Sequence, residues 1–187
     1  MSALCESPAR GAGSLLPERR GRTLVLALGS PLRGDDGVGA EILRELAAGA
    51  PVPQDVDFVD GGTPGLETAL LLQGYQRAII IDAAEMGRRP GEWARIGVDR
   101  HGFLGCREAS GGGGREPTSV HQAGLAEALV LGAALGVIPE SVTVYGIQPL
   151  ECGWSAGISR PVRAAVAKVG RAIRNEIGSL AAPGRAG

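Results

Sequence analysis

Apolar residues fall along this chain in short unbroken runs separated by stretches with helical spacing. Thr23 to Leu28 is one such run, the pattern of a strand buried on both faces. Residues 37–48 then set Val38, Ile42, Leu43 and Leu46 on one side of a helix. Val56 to Val59 predicts a second short strand. Thr63-Pro64 predicts the start of another helix, with Thr63 as N-cap, Pro64 at the first helical position and Gly74 as the stop. Ala78 to Ile81 is a third buried strand. Trp93 to Val98 alternates Ala94, Ile96 and Val98 with Arg95, so one of its faces is more exposed. Ser119 and Gln122 form a capping box that opens a helix carrying Leu125, Ala128 and Leu129. Val142 to Ile147 is the last strand. Ser159 to Leu180 is an amphipathic helix with Val162, Val166, Val169, Ile173 and Ile177 along one stripe.

Strands that alternate with crossover helices predict an α/β fold with three layers, α/β/α, around a twisted, mainly parallel sheet of about five strands. The expected domain spans residues 22–180. Residues 1–21 and 181–187 are expected to be a flexible extension and tail, because they are rich in small residues and lack periodicity. A chain of 187 residues suffices for one such domain and not for two ordinary ones. With only 3% aromatic residues, the core must be built from Val, Leu, Ile and Ala.

A net charge of −1 argues against a general nucleic-acid binder. Cys5, Cys106 and Cys152 are scattered and form no CxxC pair, which suits a reduced, cytoplasmic setting rather than a disulfide framework or a zinc knuckle. No apolar run is long enough to cross a bilayer, so no membrane partner is expected. Arg19-Arg20 before Leu24–Leu28 resembles a twin-arginine signal only superficially. The run is too short, and Arg33, Asp35 and Asp36 follow it closely.

In open parallel sheets, ligands bind beyond the carboxyl ends of the strands. That rule selects the loop Gly29–Gly37 with Asp35 and Asp36, the segment Asp60-Gly61-Gly62-Thr63, Asp82 after the third strand, and His121 in the first turn of the helix opened by Ser119. Each has an ordinary reading too. One of Asp35 and Asp36 could cap the following helix, which leaves the other available. Asp60 before Gly-Gly-Thr reads equally as turn chemistry. Asp82, directly after Ile79-Ile80-Ile81, is expected to be partly buried and so to need a partner. A helix N-terminus should keep the His121 imidazole neutral, the form that binds metal. Two carboxylates and an imidazole suit Ni, Zn, Fe or Mn. The glycines at 29 and 34 have P-loop spacing, but Asp35-Asp36 stand where Lys-Ser/Thr is required. A Cys-His hydrolase through Cys106 would put its nucleophile in the Gly-rich stretch 105–117, with nothing to position it.

At these residues the sequence resembles the hydrogenase maturation endopeptidases, which remove a C-terminal peptide from the large subunit of [NiFe] hydrogenases. The resemblance lies in LVLALGSPLRGDDGVGAEIL, DGGTPGLETALLL, AIIIDAAEMGRRPGEW, SVHQAGLAEAL and VTVYGIQPLECGWSAGISRPV, covering about residues 23 to 178 in order. It implies Asp36, Asp82 and His121 as metal-binding residues, with Asp36 and Asp82 catalytic by an aspartic or metal-assisted route. It implies Asp60, Gly61, Gly62 and Thr63 as precursor-binding residues, and nickel supplied by the precursor substrate with no organic cofactor. A monomer is expected. Rival expectations are a general metallopeptidase with its own zinc and a non-catalytic, metal-checking chaperone. The chain departs from the family at Ser30, where Asn is usual, in the long glycine loop before His121, and in its N-terminal extension.

Overall fold

The computed structural model describes residues 21–49, 51–99, 101, 104–105 and 120–181. The first apolar run is β1 (Thr23–Leu28), buried at every position. It leads through a 3-10 turn, Gly34–Gly37, into α1 (Val38–Ala48). β2 (Val56–Gly62) follows, then a second 3-10 turn and the short α2 (Thr68–Leu72). β3 (Arg77–Ala83), β4 (Trp93–Val98) and the two-residue β5 (Leu104–Gly105) come next. α3 (Val120–Ala134), β6 (Ser141–Ile147) and α4 (Arg160–Ala181) complete the described chain.

The strands form one open sheet in the order β2-β1-β3-β6-β4-β5. β2, β1, β3 and β6 are mutually parallel, whereas β4 runs antiparallel to β6 and β5 antiparallel to β4. The mainly parallel α/β expectation holds, and the sheet is about five strands plus the two residues of β5.

Alternation along each strand sends residues to opposite faces, and the two faces are two cores. On one, Val25, Ile79, Ile81, Tyr145 and Ile147 meet Val38, Ile42 and Leu46 of α1 and Val162, Val169, Ile173 and Ile177 of α4. On the other, Leu24, Leu26, Leu28, Ile80 and Val144 meet Leu72 of α2 and Leu125 and Leu129 of α3. Each fully buried Leu or Ile side chain contributes about 1.5–3 kcal/mol, so both layers are firmly held.

Two expectations need correction. β2 does not stop at Val59 but runs through Asp60-Gly61-Gly62, and a register shift opposite Ala27 and Leu28 accommodates the extra residue. The helix expected from Thr63-Pro64 starts later, with no side-chain cap. Gly65 has φ of 57°, a left-handed conformation that cannot begin an α-helix, and Thr68 Oγ1 donates to the Gly65 carbonyl instead. The expected extension 1–21, apart from Gly21, the Ser119 cap and all but the start of the 105–117 loop lie outside the described residues. Among the described residues, no helix is long and apolar enough to cross a membrane.

Candidate active site

The chain passes from β1 to β2 on one side, then returns across β1 to place β3 on the other. That reversal opens a crevice beyond the carboxyl ends of β1 and β3, where ligands bind in sheets of this kind. Asp36 follows β1 and Asp82 lies near the end of β3, so topology alone brings the two together.

Close backbone packing sets Asp36 in place. Gly29 leaves β1 with φ of 103°, and a Cβ there would lie 1.9 Å from the Asp36 carbonyl oxygen. Gly39 lets α1 abut the sheet, since a Cβ would fall 2.6 Å from the Leu28 carbonyl oxygen and 3.0 Å from that of Ile81. Neither position admits a side chain.

The two adjacent acids have different surroundings, although both are 1% exposed. Asp35 does not cap α1. Its carboxylate accepts hydrogen bonds from Leu150 N (2.8 Å), Glu151 N (3.4 Å), Ser159 N (2.6 Å) and Ser159 Oγ (2.8 Å). It therefore ties the loop after β6 to the site and puts negative charge at the N-terminus of α4, where the helix dipole favours it. Asp36 Oδ2 accepts from Ser30 N at 2.8 Å, but Oδ1 is buried and accepts no hydrogen bond. Ser30 Oγ in turn accepts from Leu32 N, so the hydroxyl shapes the loop locally. An orphaned carboxylate oxygen in a buried position is costly and calls for a proton or a cation.

Asp82 makes the same demand. Its pKa is raised from 3.8 to about 7, first by burial and then by the negative charge of Asp36, against a smaller lowering by the Ala83 backbone N–H. Two buried acids beside one another resist double ionisation. Asp82 also lines a cleft of about 160 Å³ with Leu28, Gly62, Pro64, Gly124 and Leu125.

The remaining expected residues divide. His121 lies in the first turn of α3, at the foot of the helix that bounds this cleft, and its side chain is outside the described residues. Among the described residues no group of three His, Cys, Asp or Glu side chains is gathered to hold a metal. Gly62 and Thr63 line the cleft. Gly61 instead faces Leu26, Leu28 and Leu71, and Asp60 is exposed with its carboxylate accepting from Gly62 N. His101 follows β4, which is antiparallel, and so lies beyond the opposite rim of the sheet.

Two neighbours of the site were not singled out from sequence. Gln148 is buried, and its Oε1 accepts from Met86 N and Arg88 N while its Nε2 donates to Glu85 Oε1. It clamps the loop after β3 to the end of β6, and no local pattern announces such a long-range clamp. Cys152 is half-buried in the loop that Asp35 holds. Its thiol is pushed up to about 11, chiefly by burial and then by Asp36 and Asp35, which keeps it from being a thiolate nucleophile at neutral pH. Cys106 lies outside the described residues.

The hydrogenase maturation protease family model matches residues 40–176, which include Asp82 and His121 and begin shortly after Asp36. The chain belongs to the hydrogenase maturation protease family. Among its relatives, the hydrogenase expression/formation protein HupD of Bradyrhizobium diazoefficiens is 32% identical over 148 residues, 78% of this chain and 72% of that one. The hydrogenase 2 maturation protease of Escherichia coli is 29% identical over 146 residues, 78% and 84% of the two chains. The solved hydrogenase maturating endopeptidase HybD of E. coli superposes with a TM-score of 0.70 at 25% identity, covering 86% of this chain and 94% of its own. The [NiFe] hydrogenase maturation protease HybD of Thermococcus kodakarensis gives 0.60 at 26% identity, with coverage of 83% and 98%. Like these hydrogenase maturation proteases, the chain is a peptide-bond hydrolase on an open α/β sheet.

Proposed function

We propose that this protein removes the C-terminal peptide of a [NiFe] hydrogenase large-subunit precursor, and that the precursor brings the nickel with it. The observation that carries the reading is the buried acid pair: Asp36 with an oxygen lacking any partner, and Asp82 held protonated to near neutrality. Such a pair is a poor resting arrangement and a good receptor for an arriving cation. Asp36, Asp82 and His121 complete the coordination of the precursor's nickel, which draws the adjoining peptide bond into the cleft. The Asp82 carboxylate would act as the general base, taking the proton of a water as it adds to the scissile carbonyl. It then returns that proton to the leaving amine. Family membership supports the protease activity, and the acid pair supports the assignment of roles.

A protein substrate suits the surroundings of the site. Leu32, Leu150 and the 86% exposed Trp154 stand on the two loops that Asp35 holds together, an apolar rim suited to contact with a partner surface. The enzyme acts as a cytoplasmic monomer on this single partner, and uses neither an organic cofactor nor a nucleic acid.

Incubation of the protein with nickel-loaded and nickel-free precursor, followed by mass spectrometry, tests the reading. Loss of the C-terminal peptide only from the loaded precursor, abolished by Asp82→Asn or His121→Ala, is the expected result. Full processing by both variants refutes the assigned site. Stable binding without loss of mass indicates a chaperone, and stoichiometric zinc with cleavage of generic peptides indicates an ordinary metallopeptidase.

A further inference from the structure

α3 carries a glycine that its own packing does not require. Gly124 lies inside a helix of 15 residues, where glycine is weaker than alanine because more backbone freedom is lost. Its backbone is not left-handed, and among the described residues a Cβ added there would meet only the Gly65 Cα at 3.9 Å, an ordinary contact. Gly62 and Gly65 across the cleft are different, because their φ values of 60° and 57° call for glycine. Among the described residues, neither strain nor crowding explains Gly124.

What Gly124 does border is space. With Gly62 and Gly65 it lines the cleft of about 160 Å³ that reaches Asp82, between the apolar walls of Leu28 and Leu125. That is close to the volume of about 150 Å³ that accepts a benzene ring in an engineered protein cavity. The lining is mostly apolar, with Thr63, Thr68 and Asp82 as its polar members, so a cleft of this size suits one mid-sized apolar side chain close to Asp82.

We propose that this cleft is a specificity pocket for one apolar side chain of the substrate polypeptide, on a residue adjoining the hydrolysed bond, and that the bare Gly124 sets its depth. The inference rests on the acid pair being the catalytic site. His121 stands three residues earlier in α3, so positions 121 and 124 share a helix face. A single helix would then help to hold the metal and select the side chain next to it.

Wild-type cleavage of the nickel-loaded precursor, read by mass spectrometry, first identifies the bond. Melting temperature and kcat/KM are then measured for Gly124→Ala and Gly124→Val, on precursors carrying the native residue or alanine on either side of that bond. Gly124→Ala should melt about 2–3 °C higher and cleave the native precursor about 10-fold more slowly. Gly124→Val should lose about 100-fold or more, and an alanine at one of the two precursor positions should restore most of it. Cleavage by both variants within about twofold of wild type overturns the proposal. So does a loss that neither alanine precursor relieves, or a lower melting temperature for Gly124→Ala, since either points to packing. Wild-type protein that leaves the loaded precursor intact sinks the catalytic reading itself and this inference with it.

Discussion

Asp82→Asn should make the metal-free protein more stable, and increasingly so as pH rises. The folded protein holds the Asp82 proton up to about pH 7, whereas an unfolded chain releases it near 3.8. Between those values the folded state binds more protons than the unfolded one, so stability falls with rising pH. Each tenfold change is worth about 1.4 kcal/mol, so ionising Asp82 costs the fold about 4 kcal/mol at pH 8 and almost nothing below pH 4. Most of that cost accrues at about 1.4 kcal/mol per pH unit from pH 4 to 7, and the curve is flat above. Asparagine keeps the shape without the charge. The assay is urea unfolding of both proteins with a chelator present, at several pH values from 4 to 8. Titrating groups remote from Asp82 cancel in the difference between variant and wild type, which leaves Asp82 and the acid coupled to it, so the quantity of interest is how that difference grows. A growth of about 3–4 kcal/mol with unchanged m-values supports the electrostatic account. A difference that stays constant within about 1 kcal/mol over the whole range refutes it, and with it the buried acid pair.

Asp35→Ala should cost about 3–5 kcal/mol, because the donors at Leu150, Glu151 and Ser159 lose their shared acceptor in a buried place. Thermal unfolding should show a melting temperature lower by roughly 10 °C. Burial alone would raise the pKa of Glu176, but hydrogen bonds from Arg95 and Tyr145 outweigh it and hold the carboxylate below its ordinary 4.5. Its contribution is therefore present above pH 4.5 and lost as pH falls through the lowered value. Glu176→Gln should destabilise by about 1–2 kcal/mol at pH 7, with solvent around Arg95 keeping the effect modest, and the difference in urea midpoints should shrink below pH 4.

Much of this molecule is legible from period and composition. β1, β3 and β6 are buried at nearly every position because both faces of a central parallel strand are covered, so their apolar runs stand out without regular alternation. The stripes of α1 and α4 follow from one buried side per helix, and the residues picked from sequence are the ones in the core. The position rule for open sheets then narrows twenty Asp and Glu residues to Asp35, Asp36, Asp60 and Asp82, since only strand ends face the crevice.

Local pattern could not separate the neighbouring acids. Asp35 and Asp36 are both next to α1 in sequence, but hydrogen-bond partners more than a hundred residues away make one a structural anchor and leave the other short of a partner. Asp60 is a second case, because its glycine-rich setting gives no sign of the register shift that carries β2 through it or of the hydrogen bond its carboxylate accepts from Gly62 N. Sequence by itself determined the elements, the layer arrangement and the short set of candidate residues, because these depend on nearest neighbours and on one-sided burial. Only the tertiary structure decided which carboxylate lacks a partner and how far Asp82 is shifted. Where the cleft lies is likewise its decision, because all three depend on what distant segments bring to one sheet edge.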